Sequence, residues 1–131
     1  MSYVLSFKEL DTYKLARELS FEIYTLTKSF PKEEKFSLTD QIRRSSRSIG
    51  AQIAESWGKR RYEKHFISKL TDADSEQFET QHWLEVSLEC EYISKEQFDE
   101  LINKCELLGK MINKMIQKAN LFCQPEHQLK Q

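Results

Sequence analysis

The stretch that decides the fold is DQIRRSSRSIGAQIAESWGKRR, residues 40–61. Ile42, Ser46, Ile49 and Ile53 follow one another at spacings of four and three residues, which places them on one side of an α-helix. At about 100° per residue, a second face of small and basic side chains lies a quarter to a third of a turn away. That second face consists of Arg43, Arg47, Gly50, Ala51, Ala54 and Gly58. Two glycines inside a helix cost on the order of 1 kcal/mol each, so we expect this face to touch a neighbouring helix, another subunit or a ligand.

Three further segments of the chain carry the same helical periodicity. The four predicted helices span about 11–29, 38–59, 62–91 and 95–119. Four long helices with short connections predict an all-α fold, an antiparallel up-down-up-down four-helix bundle. Residues 1–131 then form a single domain, whose polar tail at 121–131 is expected to fray.

Local signals support these helix bounds and indicate the core. Asp11 is the expected N-cap of the first helix, and the tetrapeptide at 94–97 is a capping box for the fourth. The aromatic residues predicted to enter the core first are Trp57, Phe66, Phe78 and Phe98. The aromatic residues predicted to stay partly exposed, where they stack on bases or fill an interface, are Tyr13, Tyr24 and Trp83.

The overall composition limits the classes of protein to which this chain belongs. With 31% charged and 39% hydrophobic residues, it is typical of one soluble helical domain. No apolar run approaches the roughly 18 residues of a membrane span, and the N-terminus lacks the pattern of a secretory signal. The three cysteines are widely spaced and odd in number, which favours a reducing cytoplasm over a disulfide frame or a zinc site. We therefore expect a cytoplasmic protein with no membrane contact, metal or cofactor.

The net charge of −1 conceals an uneven distribution along the chain. Residues 1–71 contain 14 Lys and Arg against 9 Asp and Glu, whereas residues 72–131 contain 6 against 12. A uniformly basic surface is excluded, but a basic patch on one side of the bundle is not. Opposite charge in the two halves also favours self-association.

Two basic clusters are the candidates for nucleic-acid binding. The residues are Arg43, Arg44 and Arg47 on the second helix, and Lys59, Arg60, Arg61 and Lys64 at the turn into the third. Such charges bind phosphates without reading sequence. The alternative is that these side chains pair with acidic residues of the third and fourth helices, or are simply solvated. A second functional reading is a protein-interaction module, for which the acidic stretch DADSEQFE is as suitable a docking surface as the arginines.

Two catalytic patterns in the sequence are alternatives to a binding function. Glu79 and His82 form one E-x-x-H, whereas a di-iron carboxylate site in a bundle needs two such motifs and two further Glu. Arg60 and His65 resemble the R-x4-H of small helical RNA-cleaving domains, which is a weak pattern. We therefore predict no catalytic residue, and a protein that is not an enzyme.

Three stretches carry a resemblance to a known family: FKELDTYKLARELSFEIYTLTKSFP, DQIRRSSRSIGAQIAESWGKR and HFISKLTDADSEQFETQHWLE. Together they resemble the four-helix-bundle family encoded by intervening sequences in bacterial 23S ribosomal RNA genes, over roughly residues 7–118 and most strongly over 38–84. This sequence departs from the family where Ser45-Ser46 replaces Ala-Ala. It also carries Gly50 and Gln52 where Pro and Asn are common, and Ser56 where Gly is usual.

The resemblance implies an assembly more firmly than an activity. Members form homo-oligomeric rings, pentamers among them, and Arg43, Arg44 and the Arg60 region match the family's basic positions. A related branch is the accessory protein of diversity-generating retroelements, which binds a reverse transcriptase and nucleic acid. We therefore expect a homo-oligomer with an interface at Gly50, Ala51, Ala54 and Gly58, and weak binding of RNA or DNA through the basic residues. The alternative is a scaffold that docks a protein, such as a reverse transcriptase or a ribosomal component.

Overall fold

The structure is a computed structural model, and it describes residues 4–123. Its helices are α1 (Asp11–Thr27), α2 (Leu38–Gly58), α3 (Glu63–Glu89), α4 (Lys95–Gln117) and the short α5 (Ala119–Phe122). Single turns of 3-10 helix, Phe7–Glu9 and Lys32–Glu34, precede α1 and α2. The part of the chain that is described contains no strand. The four long helices are those expected, with ends that differ by at most two residues, the usual uncertainty of helix termini.

The long helices form a bundle in which each packs on its neighbours in the chain. The most extensive contact joins α2 to α3, followed by α3 with α4 and α1 with α2, and α1 closes the bundle against α4. Connections of a few residues between consecutive helices force neighbours to run in opposite directions. The all-α four-helix-bundle prediction is confirmed. Within residues 4–123, no helix combines the length and the apolar character needed to cross a bilayer.

The core forms from the predicted apolar stripes, with small polar residues between α2 and α3. Ile42, Ile49 and Ile53 are fully buried in α2. The buried Ser45 and Thr80 hydroxyl oxygens lie 3.0 Å apart, so this contact joins the two helices by a hydrogen bond. Buried hydroxyls in helices also bond to the carbonyls of the preceding turn, which removes the free-energy cost of burying them unpaired.

Three local predictions are wrong. Phe78, expected in the core, is 61% exposed, because it lies about 120° from the buried side of α3. Asp11 is the first residue of α1, and Leu10 takes the N-cap position without a side-chain cap. The chain does not fray at residues 121–123, since the Phe122 ring stacks on Phe66 at 5.5 Å and Cys123 is buried. The rest of the predicted frayed tail, 124–131, lies outside the described residues.

The capping box that opens α4 is confirmed. The Ser94 hydroxyl accepts from the Gln97 amide at 3.1 Å, and the Gln97 side chain accepts from the Ser94 amide at 2.9 Å. The N-terminus of α2 differs from that of α4. There the Ser37 hydroxyl donates to Glu34 and makes no cap of its own helix. The first turn of α2 is therefore left without a side-chain cap from its N-cap residue.

Candidate functional site

Two adjoining grooves lie on the surface that α1, α2 and the loop between them form. The small-residue groove, of about 520 Å³, is lined by Phe7, Tyr13, Arg17, Ser20, Phe21, Tyr24, Arg47, Gly50, Ala51 and Ala54. The basic groove, of about 680 Å³, is lined by Lys35, Phe36, Thr39, Asp40, Arg43, Arg44, Arg47, Ser48 and Ala51. Because Arg47 and Ala51 line both, the grooves form one continuous surface.

Arg43 is held by the end of α1. Its Nε donates to Thr27 Oγ1 at 2.8 Å, and its Nη2 donates to the Tyr24 carbonyl at 3.4 Å. The guanidinium carbon lies 4.7 Å from the centroid of the Tyr24 ring. Tyr24 contributes one of the last four carbonyls of α1, which lack a backbone amide partner inside the helix, and this carbonyl also accepts from the Thr27 hydroxyl at 3.1 Å. Arg43 therefore caps α1, and its half-buried charge stands at the edge of the basic groove.

Arg44 joins α2 to α3. Its Nη2 lies 2.8 Å from Glu79 Oε2, and about half of the arginine side chain is exposed. The same carboxylate oxygen accepts from Trp83 Nε1 at 3.0 Å. The alternative that the arginines pair with acidic residues of α3 therefore holds for Arg44. Its guanidinium keeps its charge but is less available to a ligand.

Arg47 is the most available cation of the first cluster. Its side chain is exposed, and its guanidinium carbon lies 5.4 Å from the centroid of the Tyr24 ring. Within residues 4–123 it makes no hydrogen bond and no ion pair. A cation in this state offers its full set of N–H donors to an anion.

The second cluster lies beyond the end of α2 and does not merge with the first. Lys59 is about 22 Å from Arg44 along the helix axis, at 1.5 Å per residue. Arg60 turns inward, where its guanidinium lies 3.6 Å from the Trp57 ring centroid and its Nε donates to the Trp57 carbonyl at 2.9 Å. Burial lowers the pKa of Arg60. Arg61 is exposed, whereas Lys59 and Lys64 are exposed and make no hydrogen bond or ion pair in the described part of the chain.

The small face of α2 divides into three environments. Gly50 is buried against α1, where a Cβ would meet Tyr13, Ala16 and Arg17 at 3.7–3.9 Å, an ordinary packing distance. Ala51 is exposed and Ala54 is half-buried, and both line the small-residue groove. Gly58 ends the helix in open space. Packing inside the bundle therefore accounts for Gly50, while Ala51 and Ala54 remain open to a partner.

The members of both catalytic patterns contact other residues in the structure. Glu79 is bound to Arg44 and Trp83, and the exposed His82 packs its ring against Trp83 at 4.6 Å. Among residues 4–123, no group of three or more His, Cys, Asp or Glu side chains could hold a metal ion. The His65 ring contacts Tyr62 at 5.3 Å, whereas the Arg60 guanidinium is stacked on Trp57.

Five residues that line the basic groove were not among the site residues predicted from sequence: Lys35, Phe36, Thr39, Asp40 and Ser48. Phe36 precedes the N-cap of α2 and is 86% exposed, the most exposed large hydrophobic side chain among those described. Thr39 is 7% exposed, yet its hydroxyl oxygen is buried without a hydrogen-bond partner in the described chain. A lone aromatic residue in a loop carries no periodic signal, and the pairing of a hydroxyl depends on distances that a sequence does not contain.

Comparisons with known proteins agree with the fold. A family model described as 23S rRNA-intervening sequence protein matches residues 8–114. A crystal structure from Bacteroides thetaiotaomicron, described as a protein with unknown function from the S23 ribosomal protein family, is 33% identical with a TM-score of 0.73. The match covers 81% of this chain and 95% of that one. No curated protein matches the chain. Since the family model spans most of the sequence, the resemblance is confirmed, and the chain belongs to the 23S rRNA-intervening sequence protein family.

Proposed function

We propose that this protein is a non-enzymatic, cytoplasmic homo-oligomer of helical bundles that binds RNA or DNA weakly, without reading sequence, at the basic groove. The observation that carries the proposal is the charge of that groove. Lys35, Arg43, Arg44 and Arg47 line it, against one carboxylate, Asp40. Of the seven basic residues predicted from sequence, three line this groove: Arg43, Arg44 and Arg47.

Phosphates bind such a groove through charge, and the contacts carry no sequence information. Arg43 and Arg44 keep their charge although they bind protein groups, because a guanidinium stays protonated. Arg47 contributes the strongest contact, since among residues 4–123 it has no hydrogen-bond partner to give up. Few fully available cations mean a modest affinity for one bundle, which an oligomer that repeats the groove multiplies.

A charge reversal at Arg47 tests nucleic-acid binding with the smallest risk to the fold. Arg43→Glu would remove the cap of α1, and Arg44→Glu would set two carboxylates against each other at Glu79. Arg47→Glu breaks neither contact. We expect it to weaken binding of generic RNA and DNA and to reduce the slope of log affinity against log salt by about one.

Lys110→Glu is the matched control, because it makes the same change of charge on an exposed residue of α4. If both variants lose affinity equally, net charge and not the groove explains the binding. If the intact parent binds no nucleic acid at about 50 mM salt, where phosphate contacts are strong, the proposal is wrong.

The oligomer is inferred to form through the small-residue groove. Phe21 is 67% exposed beside Ala51 and Ala54, whose small side chains allow the backbone of another helix to come close. An exposed aromatic next to a concave apolar surface is typical of a protein contact. The family resemblance favours a ring, with pentamers among the assemblies.

Ala54→Leu fills the groove and tests this interface. We expect the variant to keep its helical circular dichroism but to lose mass in light scattering. Ser75→Leu, on an exposed position of α3, is the control and should leave the mass unchanged. A variant as oligomeric as the parent would show that the groove is not the subunit contact.

A scaffold that binds only proteins is the second candidate function, and the basic groove favours it. The exposed Phe36 and the Lys35 and Arg47 side chains that line this groove suit an acidic protein surface, such as that of a ribosomal component or an enzyme. An intact oligomer that binds no nucleic acid would favour this candidate over the first.

A further inference from the structure

We propose that the basic groove takes a single strand of nucleic acid, with one base stacked on Phe36 and the adjoining phosphate at the first turn of α2. This inference rests on the proposed function and adds to it the strandedness of the ligand and the two contacts that select it. Neither Phe36 nor Thr39 belongs to the basic clusters of the sequence.

Phe36 is placed as a stacking platform. Its ring is 86% exposed and lies in the loop that leads into α2, directly beside the groove. The Lys35 ammonium lies 5.3 Å from the ring centroid, so the aromatic surface and a phosphate-binding cation occupy the same site. Base stacking on aromatic side chains beside a basic groove is how proteins bind single strands without sequence preference.

The first turn of α2 supplies the phosphate position. The amide groups of Thr39 and Asp40 donate no hydrogen bond within residues 4–123, because Ser37 bonds Glu34 instead of capping the helix. Free amides and the positive end of a 21-residue helix attract an anion.

A second, independent observation points to a ligand at the same place. The Thr39 residue lines the groove, and its buried hydroxyl has no partner in the described chain. Buried hydroxyls are normally bonded, and a threonine in a helix has two accessible χ1 rotamers. This hydroxyl oxygen is closed to solvent in the described rotamer, so it would reach a phosphate oxygen in the groove only after rotation about χ1. The Asp40 carboxylate opposes the phosphate, as does the Glu34 carboxylate, whose Oε1 accepts from the Leu38 amide at 3.3 Å, and the three positive charges of Lys35, Arg43 and Arg47 exceed these two.

A duplex does not satisfy both contacts. Its bases are stacked on each other and paired, so none is free to cover Phe36 unless the duplex opens. Its phosphates remain accessible to the cations. The site therefore distinguishes a single strand from a duplex through Phe36, while the cations bind both.

The test compares a labelled oligothymidylate, the same strand with abasic sites, and a duplex, by fluorescence anisotropy at about 50 mM salt. Loss of one stacked base corresponds to roughly 5-fold to 100-fold in affinity. We expect Phe36→Ala to lose that factor for the thymidylate strand and nothing for the abasic strand. Phe36→Trp should restore binding, and Phe78→Ala, at an exposed ring on α3, should bind like the parent.

Thr39→Val and Thr39→Ser test the phosphate contact separately. The valine variant keeps the shape without the hydroxyl, so we expect it to bind both the thymidylate and the abasic strand several-fold more weakly. The serine variant keeps the hydroxyl and should bind like the parent.

Equal binding of duplex and single strand, with Phe36→Ala indistinguishable from Phe78→Ala, would overturn the inference. The proposed function would survive that result if Arg47→Glu still weakened binding. No binding by the parent would overturn both.

Discussion

Charged groups are paired to different extents in two regions of the molecule. One region is the α1–α2 surface, and the other is the set of contacts, called here the α4 seams, that α4 makes with its neighbouring helices. Lys104 of α4 lies among three carboxylates, bonded to Glu22 and 3.2 Å from Glu18, with Glu100 at 3.9 Å. Arg47 on the α1–α2 surface has an aromatic ring beside it and no carboxylate within ion-pair distance in the described chain. The seams use charge to hold helices together, whereas the α1–α2 surface leaves charge available.

The largest expected difference in the free energy of unfolding is between Lys104→Met and Arg47→Met. Lys104 is 20% exposed, and one oxygen of Glu22 is already buried without a hydrogen bond. Removing the ammonium leaves Glu22 and Glu18 without their partner, so we expect the free energy of unfolding to fall by about 1–3 kcal/mol. Arg47→Met should change it by less than about 0.5 kcal/mol, as usual for an exposed residue. Urea unfolding at one protein concentration measures both, and equal losses would contradict the contrast.

The Lys104 pair also has a defined dependence on pH. Burial lowers the pKa of Lys104, but hydrogen bonds to Glu22 and Glu18 more than compensate, so its pKa lies above the ordinary 10.5. A raised pKa in the folded state means that the stabilisation is complete below pH 10.5 and is lost as the pH rises through the folded value. The difference in stability between the parent and Lys104→Met should therefore shrink above pH 10.5.

A pair of glycines sharpens the same comparison through packing. A Cβ on Gly109 of α4 would lie 3.0 Å from Gln77 Nε2, whereas a Cβ on Gly50 would meet nothing closer than 3.7 Å. Gln77 is 2% exposed and is bonded to Asp74 and Gln81, so it has little freedom to move.

Alanine at the two glycines should therefore act with opposite sign. Gly50→Ala gains helix propensity and should stabilise by about 0.5–1 kcal/mol. Gly109→Ala should destabilise by roughly 1 kcal/mol, because the strain against Gln77 exceeds the same gain. Urea unfolding at a fixed protein concentration measures both. Stabilisation by both alanines would show that the Gln77 side chain moves to make room for the new Cβ.

The sequence predicts those properties that depend on spacing along the chain, and it does not predict those that depend on contacts between helices. Helix bounds and the buried stripe of Ile42, Ile49 and Ile53 depend on spacing along one chain, which the sequence contains. The fate of Arg43, Arg44 and Arg47 depends on which neighbouring helix each guanidinium reaches. These three arginines lie on the same helix and carry the same charge. Yet Arg43 caps α1, Arg44 pairs with Glu79 and Arg47 remains available. Phe78 was predicted wrongly because its aromatic side chain was given more weight than its position, which lies about 120° from the buried side of α3.

The smallest expected effect concerns the contact that joins the loop before α4 to the loop before α2. The Tyr92 hydroxyl donates to Glu34 Oε2 at 2.9 Å. The hydrogen bond to Glu34 raises the pKa of Tyr92 to about 12, and bonds from Ser37 and Tyr92 lower the pKa of Glu34. The tyrosine contribution is therefore complete below pH 10 and is lost as the pH rises through about 12. The glutamate contribution is present above pH 4.5 and is lost as the pH falls through the lowered folded value.

Tyr92→Phe removes this contact and keeps the ring that packs against Phe30 at 5.3 Å. We expect the stability difference between parent and variant to be constant between about pH 5 and pH 9 and to shrink at both extremes. Thermal unfolding from below pH 4.5 to above pH 10 measures the difference, with Tyr62→Phe as the control because Tyr62 is an exposed tyrosine outside this loop contact. A difference that stays constant at both extremes would contradict the Glu34 pairing.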